Sequence, residues 1–319
     1  MAGFCSEDDI GMISVIVPLF NKAKTIMRAI ESVLHQEHTP CEVLVINDGS
    51  SDESAEIVRE IRSPLIRLIN QENLGPGAAR NLGASLCQGR YLAFLDADDE
   101  WRSSHLKNAA LALGGSQECS VYVTGYDSGR FRNVQPNLIK YLSLAGSIGP
   151  PLEVCGTTLK TMVDAMHSSC VVVKGETFRA LGGFFEKDRC VYGEDSFLWL
   201  RVLLTQNIYW DPTETVLFHV EDSALGYAVT NRAKARPASL YPELVSEGMS
   251  GAQNRAAKRA IGYFALLDLY QLVDSGSQDA VYELERVHPS LRRRRLKIPL
   301  WRLKQKLLGL LGSKIRSSG

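Results

Sequence analysis

The chain has seven cysteines, at 5, 41, 87, 119, 155, 170 and 190, and no two of them make a C-x-x-C pair. That scatter argues against a zinc site or a disulfide framework. It leaves reduced, buried thiols of a cytosolic protein as the plain reading. No stretch approaches the roughly 20 consecutive apolar residues of a membrane-spanning helix. The opening residues, MAGFCSEDDIGM, are acidic and lack an apolar core, so no secretory signal is expected. No G-K-[ST] follows a glycine-rich turn, which excludes a P-loop. Internal repeats are absent as well. Net charge is also lacking, with 36 Lys and Arg against 36 Asp and Glu. The balance hides an asymmetry: residues 286–319 carry eleven basic residues and no acidic one, which leaves the rest with 25 basic against 36 acidic. A basic tail on an acidic body suggests two separate tasks.

What is present is a series of short, β-branched, apolar runs separated by helical spacing. ISVIVPL (13–19), EVLVI (42–46), 66–70 and 91–95 read as buried strands, and 21–36, 54–62 and a segment ending near Cys87 as helices between them. Alternation of this kind predicts a mostly parallel sheet with helices on both faces. Further on, a helix over 104–113, strands at 121–125, 170–173 and 215–220, and helices at 176–181 and 192–204 are expected. Residues 126–165 show no clean period and read as a long excursion covering the crevice. Residues 226–285 are helical in pattern with no strand-like run, and 286–319 form the basic tail. The expected domains are therefore 1–225, 226–285 and 286–319.

In a sheet of this type ligands sit beyond the carboxyl ends of the strands. Three polar clusters fall there: Asn21 after the first strand, Asn47 to Ser51 after the second, and Asp96, Asp98 and Asp99 in FLDADDEW after the fourth. Three carboxylates so close repel unless a cation or strong donors compensate. Oxygen ligands suit Mg²⁺ or Mn²⁺. A solvated acidic turn, with Asp99 capping the next helix, is the other reading of the same residues.

Taken together, SVIVPLFN (14–21), VINDGSSD (45–52), NLGPGAARNLG (73–83), FLDADDEW (94–101) and GED (193–195) resemble, in order and spacing, the motifs of family-2 glycosyltransferases with the GT-A fold. Asn47 stands where that family more often has Asp. The resemblance covers roughly 12–225. It implies a GT-A (Rossmann-like) α/β domain, here with a C-terminal helical extension. It further implies a metal-dependent, inverting enzyme that moves one sugar from a nucleotide-diphosphate donor, UDP-linked by preference, to a glycan or lipid-linked glycan. The Q-x-x-R-W signature of processive members is absent, since 206–210 read QNIYW.

Carried over residue by residue, the resemblance places Asp48 on the uracil N–H, with Pro18 and Phe20 framing the base. An Asx turn at Asp48 and a core ring at Phe20 are the alternatives. Arg80 would address base carbonyls or phosphate, or else pair with Asp48 or Asp96. Asp96 would take the ribose or a metal-bound water. Asp98 would hold Mn²⁺ or Mg²⁺ with the diphosphate completing the shell, and His219 would reach the diphosphate or the metal, or else be a satisfied strand-end histidine. Asp195 would be the general base and Glu194 its orienter or an acceptor contact. Otherwise these two are acids favoured at a helix N-terminus. His167 receives no role.

The segment 291–316, LRRRRLKIPLWRLKQKLLGLLGSKIR, has the pattern of a basic amphipathic helix at an anionic membrane surface, or of a helix docked on the acidic body. A cytoplasmic protein that reaches the inner face of the plasma membrane through this tail is expected. A nucleic-acid partner is not. Two rivals remain: a non-catalytic glycan-binding or scaffolding protein on the same framework, and a nucleotidyltransferase that makes sugar nucleotides. The second should carry a glycine-rich loop with a following Arg and Lys, which PLFNKAKT (18–25) lacks.

Overall fold

The structure is a computed structural model that describes residues 12–129, 139, 142–222 and 233–296. Its first half runs β1 (Ile13–Leu19), α1 (Ile26–Leu34), β2 (Glu42–Asp48), α2 (Ser54–Glu60), β3 (Ile66–Gln71), α3 (Pro76–Leu86) and β4 (Tyr91–Phe94). There follow β5 (Glu100–Trp101), α4 (His105–Gly115), β6 (Val121–Asp127), β7 (Gly146–Ile148), α5 (Gly156–Ala165), β8 (Val171–Lys174), α6 (Gly175–Ala180), α7 (Glu194–Thr205) and β9 (Ile208–Leu217). The chain then turns wholly helical, with α8 (Pro237–Leu240), α9 (Pro242–Ser246), α10 (Gly251–Ser275), α11 (Gln278–Val287) and α12 (Leu291–Arg295).

One sheet holds all strands in the order β3-β2-β1-β4-β8-β6-β9-β5, with β7 on β9. The first four are parallel; β8 is antiparallel to both β4 and β6, and β6 runs parallel to β9. β1, β2 and β4 are buried at nearly every position because both faces are covered. Val15, Val17, Val43 and Val45 join α1 and α4 in one core, while Ile16, Leu44, Ile46 and Phe94 join α7 in the other. Successive side chains of one strand thus serve opposite cores. Gly83 lets α3 lie directly on β1: a Cβ there would stand 2.5 Å from Ile16 Cγ2.

The expected mostly parallel α/β sheet with C-terminal helices is the observed one. Two stretches differ. The last strand was expected at 215–220 and runs Ile208–Leu217 instead. Its buried Ile208 and Trp210 are cut off from Val216 by the polar stretch 211–214, where the pairing with β6 shifts register. The excursion 126–165 contains β7 and the regular helix α5. Leu159, Met162 and Val163 of α5 are buried in the α7-side core, where α5 packs against α10. Thr157, Lys160, Thr161 and Asp164 make its polar side, so the helical spacing of Leu159, Met162 and Val163 is present in the sequence but confined to ten residues of the excursion.

The long helix α10 opens on a capping box between Ser250 and Gln253 and stops at Gly276, whose φ is 75°. Its first half, with Ala256, Ala257, Ala260 and Phe264, belongs to the α7-side core; Leu269 and Leu272 join Val281, Leu284 and Leu291 in a third cluster. Of the basic tail, 297–319 lie outside the described residues. No described helix is long and apolar enough to cross a membrane.

Candidate active site

β1 and β2 end side by side, Leu19 opposite Asn47. The turns beyond them are stapled together. Asn21 sits at φ 52°, its Oδ1 accepts from Ser51 N at 2.8 Å, and its own N–H donates to Ser50 Oγ at 3.1 Å. Asp52 Oδ2 accepts from Ala23 N at 3.0 Å. Asn47 donates from Nδ2 to Asn70 Oδ1 at 2.9 Å and accepts at Oδ1 from Ser50 N at 3.0 Å. That position needs one donor and one acceptor, which an ionised Asp does not offer.

Asp48 is 3% exposed and turned toward the loop after β3. Its Oδ1 accepts from Gln71 Nε2 at 2.6 Å and Leu74 N at 2.8 Å, and its Oδ2 from Gly75 N at 2.9 Å. Gly75, at φ 96°, turns the chain into α3. Pro18 is half-buried, and Phe20 is 45% exposed at the mouth of the crevice, so its ring is not part of the core.

From α3, the buried Arg80 joins two acids that are far apart in sequence. Nη2 donates to Asp96 Oδ1 at 2.6 Å and Nη1 to Glu194 Oε1 at 3.0 Å, while the guanidinium lies 5.0 Å over the Phe184 ring. Burial disfavours its charge, but Asp96 and Glu194 outweigh that and hold it protonated. The ion-pair alternative for Arg80 is therefore the one observed, with both edges of the fork engaged.

The turn after β4 is built on Ser169, which precedes β8. Ser169 Oγ accepts from Asp96 N at 3.1 Å and donates to Asp99 Oδ2 at 2.5 Å. Asp99 is thereby drawn inward to 1% exposure, and the N-terminal residue of α4 is preceded by Ser104 instead. The expected helix cap at Asp99 is corrected: the closed turn from Asp99 N to Asp96 O aims its carboxyl at the core. Burial, then Asp96 and Asp98, push Asp99 well above the carboxylate range. Asp96 goes the other way: burial opposes its charge, yet Arg80 holds it below the ordinary value.

Asp98 Oδ2 accepts from Lys22 Nζ at 2.6 Å; burial and Asp96 still raise its pKa against that pull. Lys22 also donates to Asp222 O at 2.8 Å, and Arg28 Nη2 bridges Asp98 O and Asp222 Oδ2, each at 2.8 Å. His219 is half-buried, with Nε2 3.4 Å from Glu100 Oε2. The atoms that stand together as potential ligands are those of Asp96, Asp99 and His167, all within 4.8 Å of one another. His167 Nδ1 is buried with no hydrogen-bond partner among the described residues. Carboxylates and one imidazole form a donor set that fits Mn²⁺ or Mg²⁺.

α7 supplies the remaining acids from its first turn. Gly193, at φ 76°, precedes it, and a Cβ there would lie 2.6 Å from Arg236 Cβ. Glu194 is 6% exposed; burial and its neighbour Asp195 push it up to about 7 against the pull of Arg80, whose charge is shared with Asp96. Asp195 is half-buried, and its Oδ1 accepts from Ser196 N at 2.6 Å. Among the described residues no partner is seen for Oδ2.

The structure therefore brings Arg80, Asp96 and Glu194 into one chain of contacts, with Asp98 and Asp195 beside it. Asp48 organises the adjoining loop. Sequence reasoning missed Lys22, Arg28, Gln71, Ser169 and Asp222. Only Lys22 carried a signal, as a cation directly after the Asn21 turn.

The sequence profile of Glycosyl transferase family 2 matches residues 14–175, just over half of the chain. Among curated proteins, the succinoglycan biosynthesis protein ExoO of Rhizobium meliloti is 43% identical over 101 residues, 31% of this chain and 29% of ExoO. An uncharacterised glycosyltransferase of Rickettsia bellii is matched over only 13% of its length, so the chain spans well under half of these relatives. Among solved structures, the mannosyltransferase PcManGT of Pyrobaculum calidifontis, in complex with GDP-Man and Mn²⁺, has a TM-score of 0.60 at 19% identity, covering 93% of this chain and 80% of that one. TarS of S. aureus in complex with UDP-GlcNAc has a TM-score of 0.56 at 19% identity, covering 83% and 71%. At such identities the likeness is one of fold: GT-A.

Proposed function

The chain belongs to glycosyl transferase family 2, and from that premise we propose that it transfers one sugar per encounter from a nucleotide-diphosphate donor, UDP-linked in this reading, to a glycan or lipid-linked glycan, inverting the anomeric carbon. The observation that carries the reading is the contact chain Asp96–Arg80–Glu194, which sets a strand-end acid and the acids of α7 in one crevice. Support for a polysaccharide or glycoconjugate pathway comes from the likeness to ExoO.

In this reading the base lies against the β1–β2 turns, with the exposed Phe20 ring and Pro18 framing it. Asp48 orders the 73–75 loop beside it. Asp96 meets the ribose. Asp98 would hold Mn²⁺ or Mg²⁺, with the grouped ligand atoms of Asp96, Asp99 and His167 as the other donors on offer, and His219 would face the diphosphate. A bound divalent ion there would neutralise charge growing on the departing diphosphate. Lys22 stands against Asp98 and offsets its charge. Asp195 takes the proton of the acceptor hydroxyl; among the described residues its Oδ1 has the Ser196 N–H as partner, which leaves the other oxygen for that task. A positioned base contributes roughly 10² to 10⁴ in rate. Glu194 keeps Arg80 in place and the two acids oriented. The basic segment 291–316 would bring the enzyme to a lipid-linked acceptor at an anionic leaflet.

The test is a panel of nucleotide sugars with purified protein, with released nucleotide as the readout, with and without Mn²⁺ and chelator. Turnover with a UDP-sugar that stops on chelation supports the proposal. Full transfer by Asp195→Asn would remove the base assignment. Binding of glycan without any donor turnover would favour the non-catalytic rival.

A further inference from the structure

The acids of α7 stand on a turn that the C-terminal helices hold from behind. Asp268 of α10 is 1% exposed in an otherwise apolar neighbourhood of Phe264, Ala265, Leu269 and Leu272. A lone carboxylate there would be strongly unfavourable. It is compensated by the similarly buried Arg236. Nε donates to Asp268 Oδ1 at 2.9 Å and Oδ2 at 3.2 Å, the Arg236 backbone N–H donates to Oδ2 at 3.2 Å, and Ser239 Oγ adds a bond at 2.7 Å. The guanidinium lies over two rings, Phe264 at 4.7 Å and Tyr192 at 5.4 Å.

Arg236 does not end its work at Asp268. Its Nη2 donates to the Tyr192 hydroxyl at 2.8 Å. Its Cβ occupies the place where a side chain at Gly193 would point. The two residues leading into Glu194 and Asp195 are thus braced by one side chain, at the hydroxyl and at the backbone. Phe197 N bonds back to Gly193 O at 3.1 Å, so the first turn of α7 inherits that placement.

We propose that Arg236, fixed by Asp268, is a positioning residue that sets where the Asp195 carboxylate stands. It touches neither donor nor acceptor and acts through Tyr192 and Gly193. The proposal rests on the reading of Asp195 as the base. It makes the helical extension part of the catalytic apparatus: a rigid α10 holds the acceptor side of the crevice in register with the sheet side. A misplacement of about 1 Å at a reacting group can lower a rate roughly 100-fold.

The experiment uses the full chain, three single variants and the double variant of the first two. Arg236→Lys keeps the charge at Asp268 but lacks the fork that reaches Tyr192. Tyr192→Phe removes only the hydroxyl. Ser239→Ala touches Asp268 from the other side and serves as the stability control. Expected are a roughly 10- to 100-fold lower kcat in the first two, an unchanged donor KM, and losses that do not multiply in the double variant. Ser239→Ala should lower Tm and leave kcat alone. Amide hydrogen exchange at Ser196 and Phe197 should quicken in the first two variants and not in the third. Full kcat in Tyr192→Phe, or a kcat loss in Ser239→Ala equal to that of Arg236→Lys, overturns the proposal. If Arg236→Lys does not fold, Tyr192→Phe decides alone. Should Asp195→Asn retain transfer, the base reading falls by itself, and unaltered exchange at 196–197 is then what sinks the brace.

Discussion

Glu194→Gln offers a test of the site's electrostatics that does not depend on knowing the substrate. The side chain is 6% exposed and its pKa is pushed up to about 7, chiefly by burial and next by Asp195. In the unfolded chain it should titrate near the ordinary 4.5. The folded protein therefore holds a proton there that the unfolded chain has lost. Stability from this group is fully present below about pH 4.5 and is lost as pH rises through about 7. At about 1.4 kcal/mol per pKa unit, the full loss is about 3 kcal/mol, most of it between pH 5 and 8. Glutamine resembles the neutral acid in shape and still accepts from Arg80, but carries no charge to desolvate. Urea unfolding of both proteins at several pH values measures the difference. The two should be similar near pH 5, and the variant should be the more stable by about 2 to 3 kcal/mol at pH 8. A difference that stays flat across that range refutes the argument, because it would mean that the buried Glu194 pays no desolvation cost. The native acid is then explained by function: a group that costs stability at neutral pH is retained where it orients Arg80 and Asp195.

Three further outcomes follow from the geometry. Asp195→Asn should lower kcat by roughly 10² to 10⁴ while donor affinity, read by calorimetry, stays put. Gly193→Ala combines φ 76° with a contact 2.6 Å from Arg236 Cβ, so a loss of about 1 to 3 kcal/mol is expected in thermal unfolding, together with a fall in turnover. Phe20→Ala removes a ring that is already 45% exposed, so Tm should hold while UDP binding weakens by about tenfold; unchanged binding would move the base elsewhere.

The readable part of this protein and the hidden part separate along a physical line. β1, β2 and β4 were legible because strands covered on both faces are largely continuous apolar runs, as in ISVIVPL and EVLVI, whereas the edge strand β3 shows only Ile66, Leu68 and Ile69. Their order alone brought Asn21, Asn47, Asp48 and Asp96 to one edge. β9 was cut short in the reading because residues 211–214 are polar where the register shifts. α5 went unseen because its apolar spacing, Leu159, Met162 and Val163, is confined to ten residues of a longer stretch without a clean period.

Within the site, the chain by itself determined which residue types are present and that they gather at the carboxyl ends of the strands. Local spacing carries that information, since each acid lies within a few residues of a strand or helix end. It did not determine who pairs with whom. Arg80 meets Glu194 across 114 residues, and Lys22 meets Asp98 across 76. Such partnerships depend on how β1, α3, β4 and α7 pack, and a one-dimensional pattern contains no distance between elements. The tertiary structure alone turned Asp48 toward the 73–75 loop, drew Asp99 inward onto Ser169, and set Arg236 behind Gly193. In each case a buried polar or ionisable group had to find its partners nearby, and only the folded chain decides which ones are within reach.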